Sequence, residues 1–194
     1  MGRPKEFDRD AALKAAIEVF WAKGFTGAST DDLTGAMGIG RQSLYDTFGD
    51  KRRLYLEALG RYNAESVAAN LADLQSGSSA TEAIETLLLR FANAPEPLRG
   101  RGCMGVNAIC EFGQDDAEVL AVGRASHDLQ EGALLRHLEA GKAQGDIDAA
   151  VDPKAAAQFI AATLAGLKVQ AKAGAPAEML RTVAAFAVNS LRPR

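Results

Sequence analysis

Apolar positions recur with helical spacing along almost the whole chain. Leu13, Ile17, Phe20 and Trp21 stand at i, i+4, i+7 and i+8, the stripe of one helix with a single buried face. Asp8 predicts its cap and Gly24 its stop. Thr30 to Met37 reads as a short second helix, opened by the capping box Ser29-x-x-Asp32 and closed by Gly38. A third short helix is predicted from about Arg41 to Phe48. Gly49 then punctuates, and Asp50 can cap a long helix carrying Leu54, Leu56, Leu59 and Tyr62.

The same period continues downstream. A Ser-Gly-Ser-Ser loop (76–79) precedes a helix through Ile84, Leu87, Leu88 and Phe91. Pro95 to Gly102, rich in Pro, Gly and Arg, is the least helical stretch. A short helix is expected around Asn107 to Phe112 and a long one from about Ala117 to Ala143. Gly145 and Asp146 break it. Asp152-Pro153 opens a helix to about Ala173, because proline suits the first helical position. Gly174-Ala175-Pro176 separates a last helix ending near Leu191. No segment alternates with period two, so the fold class is all-α.

Composition divides this string of helices in two. Eight of the twelve aromatics fall within residues 1–62, while the remainder is rich in alanine. Residues 1–62 hold ten Lys/Arg against nine Asp/Glu, and residues 63–194 hold twelve against sixteen. The net charge of -3 therefore averages a slightly basic head with an acidic body, and the bulk value alone argues against a nucleic-acid partner. The expected division is a head, 1–50, and a body, 51–194, joined by the helix from 51 to about 74. No apolar run reaches the ~20 residues needed to span a bilayer; the most apolar, Ala155 to Leu167, contains Gln158 and ends at Lys168. The first residues lack an apolar signal core, so export is not expected. Cys103 and Cys110 are seven apart, a rise of ~10.5 Å on a helix, whereas a disulfide needs Cα atoms within ~7 Å. A reduced, cytoplasmic protein is expected.

The most informative block runs from Thr30 to Phe48. Two short helices around a Gly-containing turn are the sequence form of a helix-turn-helix. Leu33, Met37, Ile39, Leu44 and Phe48 fall where that unit buries side chains. Arg41, Gln42, Ser43 and Tyr45 are left at the start of the second helix, the end that enters a major groove, and Arg and Gln are types that read guanine and adenine edges. The bland alternative is a plain three-helix packing unit in which Tyr45 and Phe48 are core. The Lys51-Arg52-Arg53 cluster beside the complete turn favours DNA.

From Phe7 to Tyr62 the chain resembles the DNA-binding domain of the tetracycline-repressor (TetR/AcrR) family. The resemblance lies in Ser43-Leu44-Tyr45-x-x-Phe48-x-x-Lys51-x-x-Leu54 after Ala36-Met37-Gly38-Ile39, with Ala16-x-x-x-Phe20-x-x-x-Gly24-Phe25 and Ser29-Thr30 upstream. It implies that Thr30, Tyr45 and Lys51 contact phosphates and that Arg41, Gln42 and Ser43 face bases. Thr47 departs from the family, where histidine is common. Arg3 and Lys5 precede the first helix, as a minor-groove arm or as a solvated terminus.

The resemblance further implies that the body is a helical bundle with a small-molecule pocket, whose last two helices pair with a second copy. Phe159, Leu164, Leu167, Val183 and Phe186 are the dimer candidates; packing within one subunit is the alternative. Cys103, Asn107, Phe91, His127 and Phe159 are the candidate ligand or sensor residues. A thiol at a helix start near Arg99 and Arg101 can react as thiolate, although a free cysteine more often packs as a small buried residue. Cys110 is expected in the core. His127 and His137 lack zinc-enzyme spacing, and no cofactor or metal is implied. Gly38-Ile39-Gly40 lacks the third glycine and the strand of a nucleotide loop. The reading is a homodimeric regulator, a repressor leaving a palindromic double-stranded operator on binding a small-molecule inducer, with an electrophile or oxidant sensed at Cys103 as the leading variant. A purely non-covalent apolar pocket is the alternative. A helical enzyme with Cys103 as nucleophile and His127 as base is more distant.

Overall fold

Local capping chemistry sets most of the helix boundaries. The computed structural model describes residues 7–193, and among these the backbone forms helices and no strand. Helix α1 (Arg9–Gly27) opens on Asp8, whose carboxylate accepts the Asp10 and Ala11 N–H groups. Gly24 leaves helical geometry at φ 72° and ψ 179°, so the helix breaks where its stop was expected and one further turn follows. Helix α2 (Thr30–Met37) carries the complete capping box of Ser29 and Asp32 and ends on left-handed Gly38. Helix α3 spans Arg41–Phe48, and α4 (Lys51–Leu74) starts on Asp50, which accepts from the Arg53 N–H.

Helix α5 (Ala80–Asn93) is capped by Ser79. The segment expected to be least helical instead forms α6 (Glu96–Arg101). Pro97 sits in its first turn, where N–H groups have no intrahelical acceptor and their loss costs nothing. Helix α7 (Met104–Phe112) begins three residues earlier than expected. Helices α8 (Ala117–Gln144), α9 (Pro153–Lys172) and α10 (Ala177–Asn189) follow, with Asp152 and Pro153 at the start of α9 in the expected roles.

Two apolar cores result. In the first, α1 to α4 bury Leu13, Ile17, Phe20, Leu33, Leu44, Leu54 and Tyr55, and α7 and α8 add Met104, Ala108 and Val119. Tyr55 lies at its centre, with ring centroids 5.0 Å from Phe20, 5.1 Å from Phe25 and 5.5 Å from Phe112. The second core is built by α5, α8, α9 and α10 around Leu87, Leu88, Leu134, Leu138, Ile160 and Leu180. Leu164 and Leu167 belong to it: they are buried inside the subunit rather than presented to a second copy. The long α4 serves both, with Leu54 to Leu59 in the first core and Leu74 in the second. Among the described residues no helix is long and apolar enough to cross a membrane.

Candidate nucleic-acid interface and body chamber

Burial fixes how α3 is turned. Leu33 and Leu44 are fully buried, Phe48 and Met37 nearly so, and Ile39 packs partly against them. With Leu44 and Phe48 held beneath, Arg41, Gln42 and Tyr45 face outward, Tyr45 at 47% exposure, and Ser43 is half-buried. Arg41 Nη2 lies 2.6 Å from Asp31 Oδ1, and Gln42 Nε2 donates to Asp46 Oδ1 at 2.8 Å. Such exposed pairs hold weakly in water and exchange readily for other partners. Gly40 provides no side-chain cap, so the first N–H groups of α3 have no side-chain acceptor, an arrangement that favours anions.

Thr30 opens α2, half-buried. Lys51 holds its Nζ 4.5 Å above the Phe25 ring. The cluster expected beside them is divided. Arg52 is tied to Asp116 at 2.7 Å and Glu118 at 2.9 Å, and these bonds, Asp116 first, raise its pKa above the ordinary guanidinium value. It braces α4 against α8 and is not free to face phosphates. Arg53 is exposed. Arg3 and Lys5 lie outside the described residues.

A second set of contacts joins the head to the body. Where α1 breaks at Gly24, the N–H groups of Phe25 and Thr26 donate to the two oxygens of Glu111 on α7, at 3.0 and 2.7 Å. Burial acts to raise the Glu111 pKa, but these bonds outweigh it and the net shift is downward. Trp21 Nε1 donates to the Gly102 carbonyl at 3.2 Å. Arg101, expected to bias Cys103 toward thiolate, is committed elsewhere: its guanidinium covers the Trp21 ring at 4.0 Å and meets Glu18 at 2.7 Å.

The body candidates fall on different surfaces. Cys103 is buried and is the N-cap residue of α7, giving no side-chain cap bond. Cys110 is exposed, not core, because Met104 and Ala108 take the buried side of α7. It borders an outer cleft of about 600 Å³ between α1, α7 and α9. Cys103 and His127 border a smaller, open-mouthed chamber of about 150 Å³ between α4, α7, α8 and α9, and His127 pairs with Glu131 at 2.9 Å. Asn107 accepts from Lys172 Nζ at 2.8 Å in the outer cleft. Phe91 packs against the second core, its ring 5.7 Å from Lys168 Nζ. Phe159, Val183 and Phe186 are exposed on α9 and α10 at 44%, 38% and 75%.

Asn63 and Lys168, both buried and both bordering the chamber, are not among the site candidates drawn from the sequence. Their signal was present. Lys168 continues the stripe Ala157, Ala161, Leu164, and Asn63 continues Tyr55, Leu59. Among the described residues, no group of three or more His, Cys, Asp or Glu side chains could hold a metal ion.

Residues 12–58 match the family model described as bacterial regulatory proteins, tetR family, and residues 80–186 match the tetracyclin repressor-like C-terminal domain. The chain is 35% identical to YezE of Bacillus subtilis, named as an uncharacterized HTH-type transcriptional regulator, over 93% of this chain and 94% of that protein. It is 31% identical to the HTH-type transcriptional repressor ComR of Escherichia coli, over 94% and 88%. A cysteine mutant of the TetR family transcriptional regulator CifR, complexed with 26-bp double-strand operator DNA, superposes with a TM-score of 0.83. That pair is 34% identical, covering 98% of this chain and 100% of the other.

Proposed function

The chain belongs to the TetR family of bacterial regulatory proteins, and on that footing we propose that it is a homodimeric repressor that leaves a palindromic operator when a small molecule occupies its body. The observation carrying this reading is the orientation of α3: a buried Leu44–Phe48 underside turns Arg41, Gln42 and Tyr45 outward beside an uncapped helix start. ComR is named as a repressor and CifR is complexed with operator DNA, which supports the same role here.

In this reading residues 1–50 read DNA and residues 51–194 bind ligand and pair, with α4 linking the two. Thr30, Tyr45 and Lys51 hold phosphates, while Arg41, Gln42 and Ser43 meet base edges in the major groove. Arg3 and Lys5 reach a minor groove. The exposed Phe159, Val183 and Phe186 meet the same face of a second copy, and Leu164 and Leu167 back that face from within. Two heads on one symmetry axis then match two half-sites. The protein acts in the cytoplasm, on double-stranded DNA, without catalysing a reaction.

Helix α7 is suited to couple the two parts. Cys103, its N-cap residue, and Val106 border the chamber, whereas Met104 and Ala108 enter the head core and Glu111 holds the break in α1. A ligand shifts the heads only by binding one arrangement better than the other. Cys103 is the sensor residue if the inducer is an electrophile or oxidant. Fluorescence-anisotropy titration of labelled DNA from the protein's own upstream region tests the account. Tight, salt-sensitive binding is expected, with release by N-ethylmaleimide that Cys103→Ser abolishes. Binding no tighter than to unrelated DNA refutes the regulator, and release unchanged in Cys103→Ser refutes the sensor.

A further inference from the structure

Four polar or charged side chains are buried in the described part of the chain: Asn63, Asn70, Thr81 and Lys168. Two are satisfied by the fold. Asn70 bonds to Gln130 and Arg90, and Thr81 donates to both oxygens of Asp146, at 2.7 Å from its N–H and 2.9 Å from its hydroxyl. Asn63 and Lys168 make no hydrogen bond or ion pair with any described residue, and each is only 7% exposed. Both border the same chamber of about 150 Å³, on α4 and α9, together with Ser66, Cys103 and Gln130. The Lys168 ammonium lies 5.7 Å from the centre of the Phe91 ring, and the residue borders the outer cleft as well as the chamber. The stems of Asn63 and Lys168 are buried, but neither polar tip is shut off from solvent, so each stays open to a partner that enters the space. Their convergence on one space marks a place for a ligand that supplies what the fold withholds.

We propose that this chamber takes a small carboxylate, with Lys168 as its counter-ion and Asn63 as its neutral hydrogen-bond partner. This rests on the inducer-binding reading of the body given above and names the chemistry of that inducer. One ammonium balances one negative charge. A phosphate dianion would bring a second charge, whereas Lys168 is the one Lys or Arg among the described residues that borders the chamber, and His127 there already pairs with Glu131. Val67, Val106, Ala161 and Leu164 add apolar lining, which suits a short apolar tail. The Asn63 amide is held close to α7: its Oδ1 lies 2.6 Å from where a Cβ on Gly105 would stand. Occupation of the chamber is therefore felt directly by the helix that reaches the head.

The test uses the full chain with acetate, butyrate and benzoate, their neutral amides, phosphate, and chloride at matched ionic strength. Thermal midpoint and the fluorescence of Trp21, the sole tryptophan, report binding. A carboxylate is expected to raise the midpoint saturably while its amide does not. Lys168→Met should weaken that carboxylate by about tenfold or more, and Asn63→Ala should weaken it less. Without ligand, Lys168→Met should be at least as stable as the parent, because it keeps the apolar contacts of the buried stem and removes an ammonium that bonds to no described residue. The proposal is overturned if no carboxylate exceeds chloride, if phosphate alone binds, if Lys168→Met binds unchanged, or if that variant is less stable than the parent. Titrating the same proteins with operator DNA separates the two readings. Lost DNA binding with carboxylate binding intact removes the regulator and leaves the site, whereas normal DNA binding with no carboxylate effect removes the site alone.

Discussion

Gly24→Ala should unfasten the head from the body, and its cost can be worked from the geometry. An alanine there must hold φ 72° and ψ 179°, a region nearly reserved for glycine, at about 1–3 kcal/mol. Its Cβ would also stand 2.8 Å from Glu111 Oε2, so the carboxylate must move off the Phe25 and Thr26 N–H groups. Those two bonds are charge-assisted but face solvent on one side, so their loss adds about 1 kcal/mol. The sum, about 2–4 kcal/mol, lowers the melting temperature of a chain this size by about 4–15 °C. Urea and thermal unfolding followed by circular dichroism measure it. Glu111→Ala removes the colliding partner, so the double variant should cost less than the two singles combined, by about 1 kcal/mol. A Gly24→Ala protein within about 0.5 kcal/mol of the parent, or strict additivity with Glu111→Ala, would refute the clamp.

Glu111 also sets a pH dependence. Its folded pKa lies below its unfolded value near ~4.3, so its stabilising effect is complete above that pH. The effect fades as pH falls through the folded value, and Glu111→Gln should flatten melting-temperature curves recorded between neutral and acidic pH. Asp32, lowered chiefly by its bond to Lys23, and Asp116, lowered chiefly by Arg52, act in the same direction. Lys51→Ala should weaken binding to every DNA sequence and reduce the salt slope by about one unit, read from titrations across salt concentrations. Gln42→Ala should instead change base preference in a binding-site selection; an unaltered preference would exclude it from base contact. Phe186→Glu, on a side chain 75% exposed, should convert dimer to monomer in light scattering without lowering the melting temperature of the subunit. A dimer that survives moves the interface elsewhere.

What could be read in advance was what local chemistry decides. Helices α2 and α3 fall where the sequence predicts because their signals lie within three residues: the Ser29–Asp32 box, Gly38, Gly49 and Asp50. Helix α6 was hidden by its own composition, since Pro97 and Gly100 look like loop residues until the proline is seen in a first turn. The fate of Cys110 depended on which side of α7 meets the head, a tertiary choice that spacing within nine residues does not contain. Glu111 was illegible for a sharper reason: the N–H groups it holds lie 85 and 86 residues away. The same distance problem concealed the loss of Arg52 to Asp116, 64 residues on. Lys168 and Asn63 differ, because both sit on apolar stripes at helical spacing; a lone polar residue in such a stripe is a signal worth weighing.

Footprinting of purified protein on its own upstream DNA tests the central claim most directly. The account predicts a protected palindrome whose two half-sites lie about one helical turn apart or a multiple of it, with protection lost in the combined Tyr45→Phe and Lys51→Ala variant. Protection that is absent, that lacks two-fold symmetry, or that persists unchanged in that variant would contradict it.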